Sequence, residues 1–480
     1  MVGEVIEPFA IAPEGRALHP IFADIPSSQA TPILIVSQAT FTAATASLPA
    51  SAPAFAAAQG FAPKDGRHLV LPNAEGGIAA VLFGWDLEAP VRDPFLPGKL
   101  PGLLPAGTYR FEGLPADAAP LAALAFALGS YRFDRYRSKP KPSDVRLVLP
   151  EGVDGAELTR IAEAVALGRD LVNTPANDLG PDGIEAAARA LAERYGAAAR
   201  VIVGDDLLTE NFPMVHAVGR ASATPPRLID ITWGDPAHPK VTVVGKGVAF
   251  DTGGLDIKPP SAMALMKKDM GGAAAALALA HMVIDARLKV RLRVLIPAVE
   301  NAISGSSFRP GDILKSRKGM SVEIGNTDAE GRLILADALA LADEEEPALI
   351  VDYATLTGAA RVALGPDLPP FYTDDDAVAE RLAALGGAVN DPVWRMPLWR
   401  PYDSLLSSKV ADVNHISSGG FAGSITAALF LRRFVEKATH VHFDIFAWTP
   451  STKPGRPEGG EVQGARLVYA YLKERFGAVS

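Results

Sequence analysis

The segment 326–333 places two carboxylates and an arginine close together in the sequence. Asp328 and Glu330 are two residues apart, and Arg332 follows two residues later. In an extended or turn conformation, this spacing keeps both carboxylates within reach of one metal centre. Arg332 is close enough to hold an anion beside that centre. An isolated Asp-x-Glu pair is usually part of a solvated loop, so the interpretation depends on a second cluster upstream.

The second cluster spans residues 244–272 and alternates charged residues with glycines. Lys246 stands between two glycines, and Asp251, Lys258 and Asp269 follow it. Glycine permits tight turns and a close approach of the backbone. A Gly-Lys-Gly loop by itself suggests phosphate binding, but the full Gly-x-x-x-x-Gly-Lys-Ser/Thr pattern is missing. The nucleotide-binding interpretation is therefore weak.

Together the two clusters supply the carboxylates of Asp251, Asp269, Asp328 and Glu330. Packed without cations they would repel one another, and at least one would take up a proton. Two divalent ions would cancel these charges, as in two-metal hydrolytic sites. No histidine lies near these motifs, so the ligands are mostly oxygen, which suits magnesium, manganese or zinc without choosing among them. Lys246 could ligate only as a neutral amine, and adjacent dications would lower its pKa.

Composition limits the class of protein. A chain of 480 residues predicts two domains. The hydrophobic content of 48% and the charged content of 21% are typical of a soluble globular protein. A net charge of -9 argues against nucleic acid as the main partner. The absence of cysteine excludes disulfides, thiolate zinc sites and a cysteine nucleophile.

The chain start and its apolar runs predict a cytoplasmic protein without a membrane partner. Residues 1–7 carry acid where a signal peptide would carry base, and no apolar core follows. No apolar run reaches the ~18 residues that a membrane-spanning helix needs. The Ala-rich run 271–284 is too short and contains His281.

The first part of the chain is predicted to form a smaller α/β domain, residues 1–140. Strands are expected at 32–36 and 68–71, and a helix at 118–129. The charged, proline-rich segment 135–143 predicts a linker or an exposed edge, and the domain boundary is placed there. Because no metal-ligand cluster precedes it, this domain is expected to serve assembly or access to the site.

Residues 145–480 are predicted to form the larger catalytic domain. β-rich runs alternate with helical stretches; the runs are 241–244, 290–299, 348–351 and 441–445, and the helices are 272–286, 333–344 and 424–437. Buried strands between helices predict a central, mostly parallel sheet flanked by helices. In such sheets ligands bind beyond the carboxyl ends of the strands. Lys246 and Thr355 lie just past two of these strands.

The sequence resembles the leucyl aminopeptidase family of dinuclear metallopeptidases, the cytosol aminopeptidases. The resemblance is good over residues 145–480 and loose before them. It rests on Gly245–Gly247 with Phe250–Gly254, Met266–Gly272, Asn326–Leu333, Arg169–Asn177, Glu300–Asn301 with Arg309–Asp312, and Ala354–Gly358.

The resemblance implies metal-dependent release of N-terminal amino acids from peptides, by attack of a water or hydroxide that bridges two ions. The implied metal ligands are Lys246, Asp251, Asp269, Asp328 and Glu330, with Asp251 and Glu330 bridging. The expected ions are zinc or manganese, with magnesium as a further candidate.

The resemblance also implies roles outside the metal ligands. Lys258 stabilises the oxyanion, and Arg332 holds a bicarbonate ion that acts as general base. Asp269 and a metal bind the free α-amine, so the expected partners are peptides with a free N-terminus. The implied assembly is a homohexamer.

A substrate pocket follows from the same resemblance, but one position departs from the family pattern. The implied substrate-binding residues are Met266, Asp269, Thr355, Leu356, Gly358 and Phe446. After Asp444–Ile445 the family usually has Ala-Gly, whereas this chain has Phe446–Ala447. A later Thr-Gly pair is replaced by Gln463–Gly464. We expect Phe446 to narrow or reshape the pocket, which puts a preference for leucine in doubt.

Other interpretations remain open at this point. Lys258 could be a surface lysine, and Arg332 a surface residue paired with Asp328. A DNA-binding accessory role and a dinuclear phosphoesterase are the alternative functions; the acidic charge and the missing histidines weigh against them. Structural roles are expected for several polar residues, namely Asp312, Asp444, His415 and His442, and Lys267 and Lys268 match no catalytic position.

Overall fold

The computed structural model describes residues 17–46, 48–139 and 144–477. The chain forms two compact units. Among the described residues, the smaller comprises residues 17–166 with Ser451–Glu458, and the larger comprises Leu167–Pro450 with residues 459–477. The predicted boundary segment 135–143 precedes this division, and its residues 140–143 lie outside the described residues.

The smaller unit is built on a five-stranded sheet. Its elements are β1 (Thr31–Val36), α1 (Phe41–Thr45), α2 (Ser51–Ala58), β2 (His68–Pro72), β3 (Ile78–Gly84), β4 (Gly107–Glu112), α3 (Ala119–Gly129) and β5 (Val145–Leu147). The strand order is β2-β3-β1-β4-β5, and only β2 runs antiparallel to its neighbour. The strands and the helix predicted from the sequence in this part are confirmed.

The larger unit begins within α4 (Gly155–Asn173) and alternates strands with helices. Its strands are β6 (Ala198–Val203), β7 (Arg227–Trp233), β8 (Lys240–Gly245), β9 (Gly247–Asp251), β10 (Arg291–Asn301), β11 (Ile313–Lys315), β12 (Ser321–Glu323), β13 (Leu349–Ala354), β14 (Pro370–Tyr372), β15 (Trp394–Arg395), β16 (Val413–Asn414), β17 (His440–Asp444), β18 (Trp448–Thr449) and β19 (Gly459–Gly460). Its other helices are α5 (Pro181–Arg194), α6 (Asp206–Thr209), α7 (Pro213–Gly219), α8 (Pro260–Met263), α9 (Gly271–Asp285), α10 (Glu330–Glu344), α11 (Gly358–Leu364), α12 (Asp376–Ala388), α13 (Gly423–Arg432) and α14 (Ala465–Phe476).

A mixed sheet with a parallel centre organises this unit. The strand order is β15-β14-β17-β13-β8-β10-β7-β6, with β9 also paired to β10. Strands β17, β13, β8 and β10 run parallel, while β14 and β7 are antiparallel to their inner neighbours. The central strands are buried along almost their whole length, as helices on both faces require. The predicted mostly parallel sheet is thus confirmed.

Parallel pairing brings three strand ends to one edge of the sheet. Gly245 at the end of β8 lies opposite Tyr353 of β13, and Ala354 lies opposite Asp444 of β17. The residues that follow these strands therefore meet in space, although up to two hundred positions separate them in sequence.

Two helix boundaries differ from the sequence prediction. Helix α10 begins at Glu330 rather than at 333, so Glu330 and Arg332 lie in its first turn. Helix α13 ends at Arg432, although the apolar pattern continues to 437. The carboxylate of Asp343 accepts the backbone N–H groups of residues 436–438 at 2.8–3.2 Å. This acceptor offers the chain an alternative to further helical hydrogen bonds.

Candidate active site

The sequence-predicted metal ligands converge at this edge of the sheet. Lys246 follows β8, and Asp251 is the last residue of β9. Asp269 lies in a short helical turn, Met266–Met270, before α9. Asp328 lies in a second turn, Thr327–Ala329, and Glu330 begins α10. These five residues, together with Lys258, are called the carboxylate centre below.

Two lysines bind the four acids of the carboxylate centre. Nζ of Lys246 is 2.7 Å from Oδ2 of Asp269 and 3.0 Å from Oε1 of Glu330. Nζ of Lys258 is 2.8 Å from Oδ2 of Asp251 and also pairs with Asp328. These contacts decide between the alternative interpretations of Lys258 and of the partner of Asp328. Lys258 is not a surface lysine, and Asp328 pairs with it.

The loop that carries Asp328 is fixed by side-chain hydrogen bonds. Asn326 accepts the backbone N–H of Asp328 at 2.7 Å, and Thr327 Oγ1 donates to the carbonyl of Gly253 at 2.6 Å. Gly253 has φ +90°, and a Cβ there would lie 2.5 Å from the carbonyl oxygen of Asp256. Only glycine fits this turn.

Asn301, at the end of β10, ties the two ligand segments together. Its Nδ2 donates to Oδ1 of Asp251 at 2.8 Å and to the carbonyl of Thr327 at 3.1 Å. The sequence motif contained Asn301, but no role was predicted for it. An amide at the end of a central strand, next to a predicted ligand loop, is the signal that would have identified it.

The acids of the carboxylate centre are difficult to ionise together. Burial, and then the charge of Asp251, raises the pKa of Glu330 to about 8. The same two causes raise the pKa of Asp328 to about 6. Burial opposes the charge of Lys246 and of Lys258, but the neighbouring carboxylates raise the pKa of both lysines. The lysines are thus held as cations and still leave the acids with excess negative charge.

The donor set fits divalent metal ions. Oxygens of Asp251, Asp328 and Glu330 all lie within 4.8 Å of one another. Oε2 of Glu330 is buried and has no hydrogen-bond partner among the described residues. A buried carboxylate oxygen without a partner is costly, and a cation held by these oxygens would remove that cost. The residues present therefore fit the metal ions that the sequence predicts.

Arg332 is buried behind the carboxylate centre. Its Nη1 donates to the carbonyl of His415 at 2.7 Å, and burial lowers its pKa to about 10. Its Nε has no hydrogen-bond partner within the described ranges. The imidazole of His415 contacts the carbonyls of Glu323 and Asn326 at 3.2 and 2.9 Å. His415 thus supports both the ligand loop and the arginine, as its structural interpretation requires.

The loop after β13 contacts both Lys246 and Asp269 of the carboxylate centre. Nζ of Lys246 donates to the carbonyl of Thr355 at 2.9 Å, and Thr355 Oγ1 donates to Oδ1 of Asp269 at 2.8 Å. Asp444 accepts the backbone N–H groups of Leu356 and Thr357, both at 3.1 Å. Asp444 therefore holds this loop in place, which supports its structural interpretation.

Comparison with known proteins places this centre in a family. A model of the cytosol aminopeptidase family, catalytic domain, matches residues 166–469, and a model of the M17 aminopeptidase, N-terminal domain, matches residues 31–150. A probable cytosol aminopeptidase of Roseiflexus castenholzii is 41% identical over 380 residues, covering 76% of this chain and 78% of the relative.

The chain belongs to the cytosol aminopeptidase family.

Solved structures agree with this assignment. The crystal structure of a cytosol aminopeptidase from Coxiella burnetii is 44% identical, with a TM-score of 0.90, and covers 95% of this chain and 100% of its own. The bottromycin maturation enzyme BotP in complex with Mn is 33% identical, with a TM-score of 0.83 and coverage of 93% and 99%. The chain is therefore a metal-dependent aminopeptidase, a hydrolase acting on the N-terminal residues of peptides. Neither the DNA-binding role nor the phosphoesterase is favoured.

The cytosol aminopeptidase signature departs at Phe446, and the structure shows what accompanies the change. Ala447 adopts φ 57°, a left-handed conformation that glycine favours. Oε1 of Gln463 accepts the backbone N–H groups of Phe446 at 3.0 Å and Ala447 at 3.1 Å. Nε2 of Gln463 donates to the carbonyl of Pro366 at 2.7 Å. The two departures noted in the sequence are therefore in direct contact, and Gln463 holds the unusual backbone in place.

Two cations flank the ring of Phe446. Nζ of Lys268 is 5.1 Å from the ring centroid, and the guanidinium carbon of Arg361 is 4.9 Å from it. Burial, above all, lowers the pKa of Lys268 to about 7. We call Lys268, Arg361 and Phe446 the cationic wall. Lys268 lies within the Met266–Gly272 motif but matches no catalytic position, and Arg361 lies outside the motifs that carry the resemblance.

The remaining pocket residues predicted from the sequence lie around the same loop. Thr355, Leu356 and Gly358 follow β13, and Met266 begins the turn that carries Asp269. Within the described residues, no helix is long and apolar enough to cross a membrane.

Proposed function

We propose that this aminopeptidase acts through two divalent ions held by Lys246, Asp251, Asp269, Asp328 and Glu330. The observation that carries the proposal is the buried cluster of Asp251, Asp328 and Glu330, whose oxygens lie within 4.8 Å of one another. Zinc and manganese are the ions we favour, with magnesium as a further candidate; the manganese in the related BotP structure supports manganese. When bound, the ions would supply a hydrolytic nucleophile near neutral pH and polarise the scissile carbonyl.

Lys258 is assigned the stabilisation of the oxyanion that forms during hydrolysis. Its ammonium is mostly buried and is held by Asp251 and Asp328, so its position is fixed before the reaction. Asp251 and the other neighbouring acids raise its pKa despite the opposing effect of burial, which keeps it protonated. A preorganised cation aimed at developing negative charge is an effective source of catalysis.

Asp269 and Arg332 are assigned the two remaining tasks. Asp269, fixed by Thr355 and Lys246, would accept the free α-amine of the substrate. This contact makes the enzyme an exopeptidase, because only a chain end offers that amine. Arg332 would hold a bicarbonate ion, which supplies the general base. The Nε of Arg332, which lacks a partner within the described ranges, supports this assignment.

Hydrolysis of leucine p-nitroanilide, with and without added manganese or zinc, tests the reaction. We expect activity only with metal, and none on the N-acetylated substrate, whose amine is blocked. The Asp328→Asn variant should lose activity and bound metal, whereas the Asp312→Asn control, outside the carboxylate centre, should keep both. Equal cleavage of the acetylated substrate would overturn the assignment.

The pocket for the N-terminal side chain of the substrate is a further proposal. We propose that Met266, Thr355, Leu356, Gly358 and Phe446 contact the N-terminal side chain. Comparing leucine, alanine and phenylalanine substrates on the wild type and Phe446→Ala tests this, and unchanged ratios would contradict it.

Residues 1–140 are proposed to serve assembly or access to a catalytic domain at 145–480. We also propose a homohexamer acting in the cytoplasm, a location supported by the names of the relatives. Native mass spectrometry and light scattering of the full chain test the assembly.

A further inference from the structure

The cationic wall contains one permanent positive charge, the guanidinium of Arg361, beside a buried lysine, and no ion pair among the described residues balances it. Lys268 is only 2% exposed, yet its Nζ has no hydrogen bond or ion pair with any described residue. Arg361 is half-buried, and its guanidinium likewise forms no ion pair within the described part of the chain. The ring of Phe446 is the group that both contact, and an aromatic ring is a weaker partner for a cation than a carboxylate.

Two buried arginines of the same unit pair with acids, whereas buried Arg332 donates to the carbonyl of His415 and forms no ion pair among the described residues. Arg169 pairs with Glu461 at 2.8 Å, and Arg227 pairs with Glu185 at 2.6 Å. Buried cations of a stable fold are normally paired in this way. The wall, like Arg332, departs from this pattern, and an anion from outside the chain would complete it.

The wall adjoins the place where the substrate amine is proposed to bind. Lys268 immediately precedes Asp269, whose carboxylate contacts Lys246 and Thr355. On the other side, Nη2 of Arg361 is 3.7 Å from the position that a Cβ would take at Gly358. When Asp269 holds the α-amine of the substrate, the substrate group that reaches the wall is the side chain of the same N-terminal residue.

We propose that the cationic wall makes this enzyme select peptides whose N-terminal residue is glutamate or aspartate. The side-chain carboxylate would bind Arg361 and Lys268, which become its counter-ions, while Phe446 covers its methylene groups. Arg361 provides planar, directional hydrogen bonds that suit a carboxylate. This inference rests on the proposed function, since it uses the same α-amine site.

A second source of the same chemistry is the carboxylate at the C-terminus of a short peptide. p-Nitroanilide substrates separate the two sources, because glutamate p-nitroanilide carries only the side-chain carboxylate. Pairs that differ only in charge, glutamate with glutamine and aspartate with asparagine, separate charge from size.

The test compares kcat/KM for these p-nitroanilides on the metal-loaded wild type, Arg361→Gln and Lys268→Met. We expect the wild type to prefer glutamate over glutamine by at least about tenfold, the scale of one charge-assisted contact. Arg361→Gln should reduce that ratio to near one, by lowering kcat/KM on glutamate far more than on leucine. Lys268→Met should reduce the ratio less, since the guanidinium of Arg361, which provides the directional hydrogen bonds, remains. Arg200→Gln, at an exposed arginine paired with Glu210, is the matched control and should keep the wild-type ratio.

A binding measurement gives a second readout. Calorimetry should show free glutamate binding more tightly than free glutamine to the wild type, and equally to Arg361→Gln. If leucine p-nitroanilide is cleaved and the glutamate and glutamine p-nitroanilides are cleaved at equal rates, the proposed selectivity for acidic residues is wrong. The proposed function as an aminopeptidase would still hold. No cleavage of any substrate with metal would count against the proposed function itself. The wild type could instead prefer Leu-Gly over Leu-Gly-amide, lose this preference in Arg361→Gln, and show no preference for glutamate. That result would assign the wall to the C-terminal carboxylate of a short peptide and overturn the proposal.

Discussion

The carboxylate centre and the cationic wall adjoin each other at Asp269 and Lys268 but have opposite imbalances of charge. In the first, four acids face two lysines, and Oε2 of Glu330 lacks a partner among the described residues. In the second, two cations face an aromatic ring and form no ion pair within the described ranges. Uncompensated buried charge is expensive, so each imbalance indicates what that region binds: cations in one, an anion in the other.

A third buried group, Asp352 with two histidines, has its charge compensated by neighbouring side chains. Asp352 of β13 accepts hydrogen bonds from His440 Nε2 and His442 Nδ1 of β17, each at 2.6 Å. Burial alone would raise the pKa of Asp352, but the two imidazoles lower it. The two imidazoles compensate the charge of the carboxylate inside the sheet, although Nε2 of His442 has no hydrogen-bond partner among the described residues. We therefore expect this cluster to serve stability.

The largest effect should follow from reducing the negative charge of the carboxylate centre. Glu330→Gln removes the acid that contacts Lys246 and carries the oxygen without a partner. We expect kcat/KM on leucine p-nitroanilide to fall by at least about a thousandfold, with a loss of bound manganese measured by plasma emission. Glu436→Gln, at an exposed glutamate paired with Lys318, is the control. Wild-type metal content in Glu330→Gln would contradict the assignment of the imbalance to a metal site.

Removing a cation from the same centre should separate catalysis from metal binding. Lys258→Met leaves all four acids in place, so metal binding should be kept or strengthened. We expect kcat to fall by about 10²–10³, the usual cost of losing an oxyanion-stabilising group. Calorimetric titration with manganese and steady-state kinetics check both expectations, with Lys437→Met at an exposed lysine as control. Loss of metal together with activity would show that Lys258 mainly organises the acids.

Substitution of Asp352, in the cluster with His440 and His442, should lower the stability of the fold without changing the metal content. Asp352→Asn leaves two buried imidazoles without their carboxylate, and we expect a loss of about 3 kcal/mol in the free energy of unfolding. Denaturant unfolding of wild type and variant across pH measures it. Unchanged stability near pH 5 would contradict the structural role.

The pH dependence of that loss has a defined sign. The pKa of Asp352 is lowered from 3.8, so its contribution is present above that ordinary value and is lost as the pH falls through the lowered one. Burial alone would lower the pKa of His442, but Asp352 raises it above 6.5. The contribution of His442 is therefore present below its ordinary pKa and is lost as the pH rises through the raised value. The difference between wild type and variant should be largest between these two limits.

How far the sequence could predict each region follows from how local its signals are. Lys246 and Asp251 lie in glycine-rich motifs at the ends of strands, which meet at one edge of a parallel sheet. Asp269, Asp328 and Glu330 lie in short motifs with glycines that lead into helices α9 and α10. The convergence of Lys246, Asp251, Asp269, Asp328 and Glu330 was therefore predictable. The central strands were predictable for the same reason, since each is a continuous apolar run.

The cationic wall could not be predicted in this way. Lys268 is one of two adjacent lysines that match no catalytic position, and Arg361 lies on α11, ninety-three positions later in the chain. Only the tertiary structure shows that both reach Phe446. The end of α13 was missed for a similar reason, because the competing acceptor, Asp343, lies on a different helix.

The smallest predicted effect concerns Gln463, which connects the wall to the backbone behind it. Gln463→Ala removes the acceptor shared by the N–H groups of Phe446 and Ala447. Its loss should lower the free energy of unfolding by about 2 kcal/mol, the usual cost of leaving buried donors without a partner. Because the carboxylate centre does not contact Gln463, metal content should stay unchanged while the ratio of glutamate to leucine cleavage falls. Thermal unfolding, metal analysis and the two substrates measure these three quantities on one preparation.

A second variant at the same position separates the hydrogen bonds of Gln463 from its volume. Gln463→Glu keeps an acceptor for the N–H groups of Phe446 and Ala447 but can donate to the carbonyl of Pro366 only when its carboxyl is protonated. At a pH low enough for that, it should retain more of the stability than the alanine variant. If the alanine variant loses stability and the glutamate variant does not, the hydrogen bonds account for the loss. If both variants keep the wild-type ratio of glutamate to leucine cleavage, the wall does not depend on this backbone, and the contact between the two sequence departures has no part in selectivity.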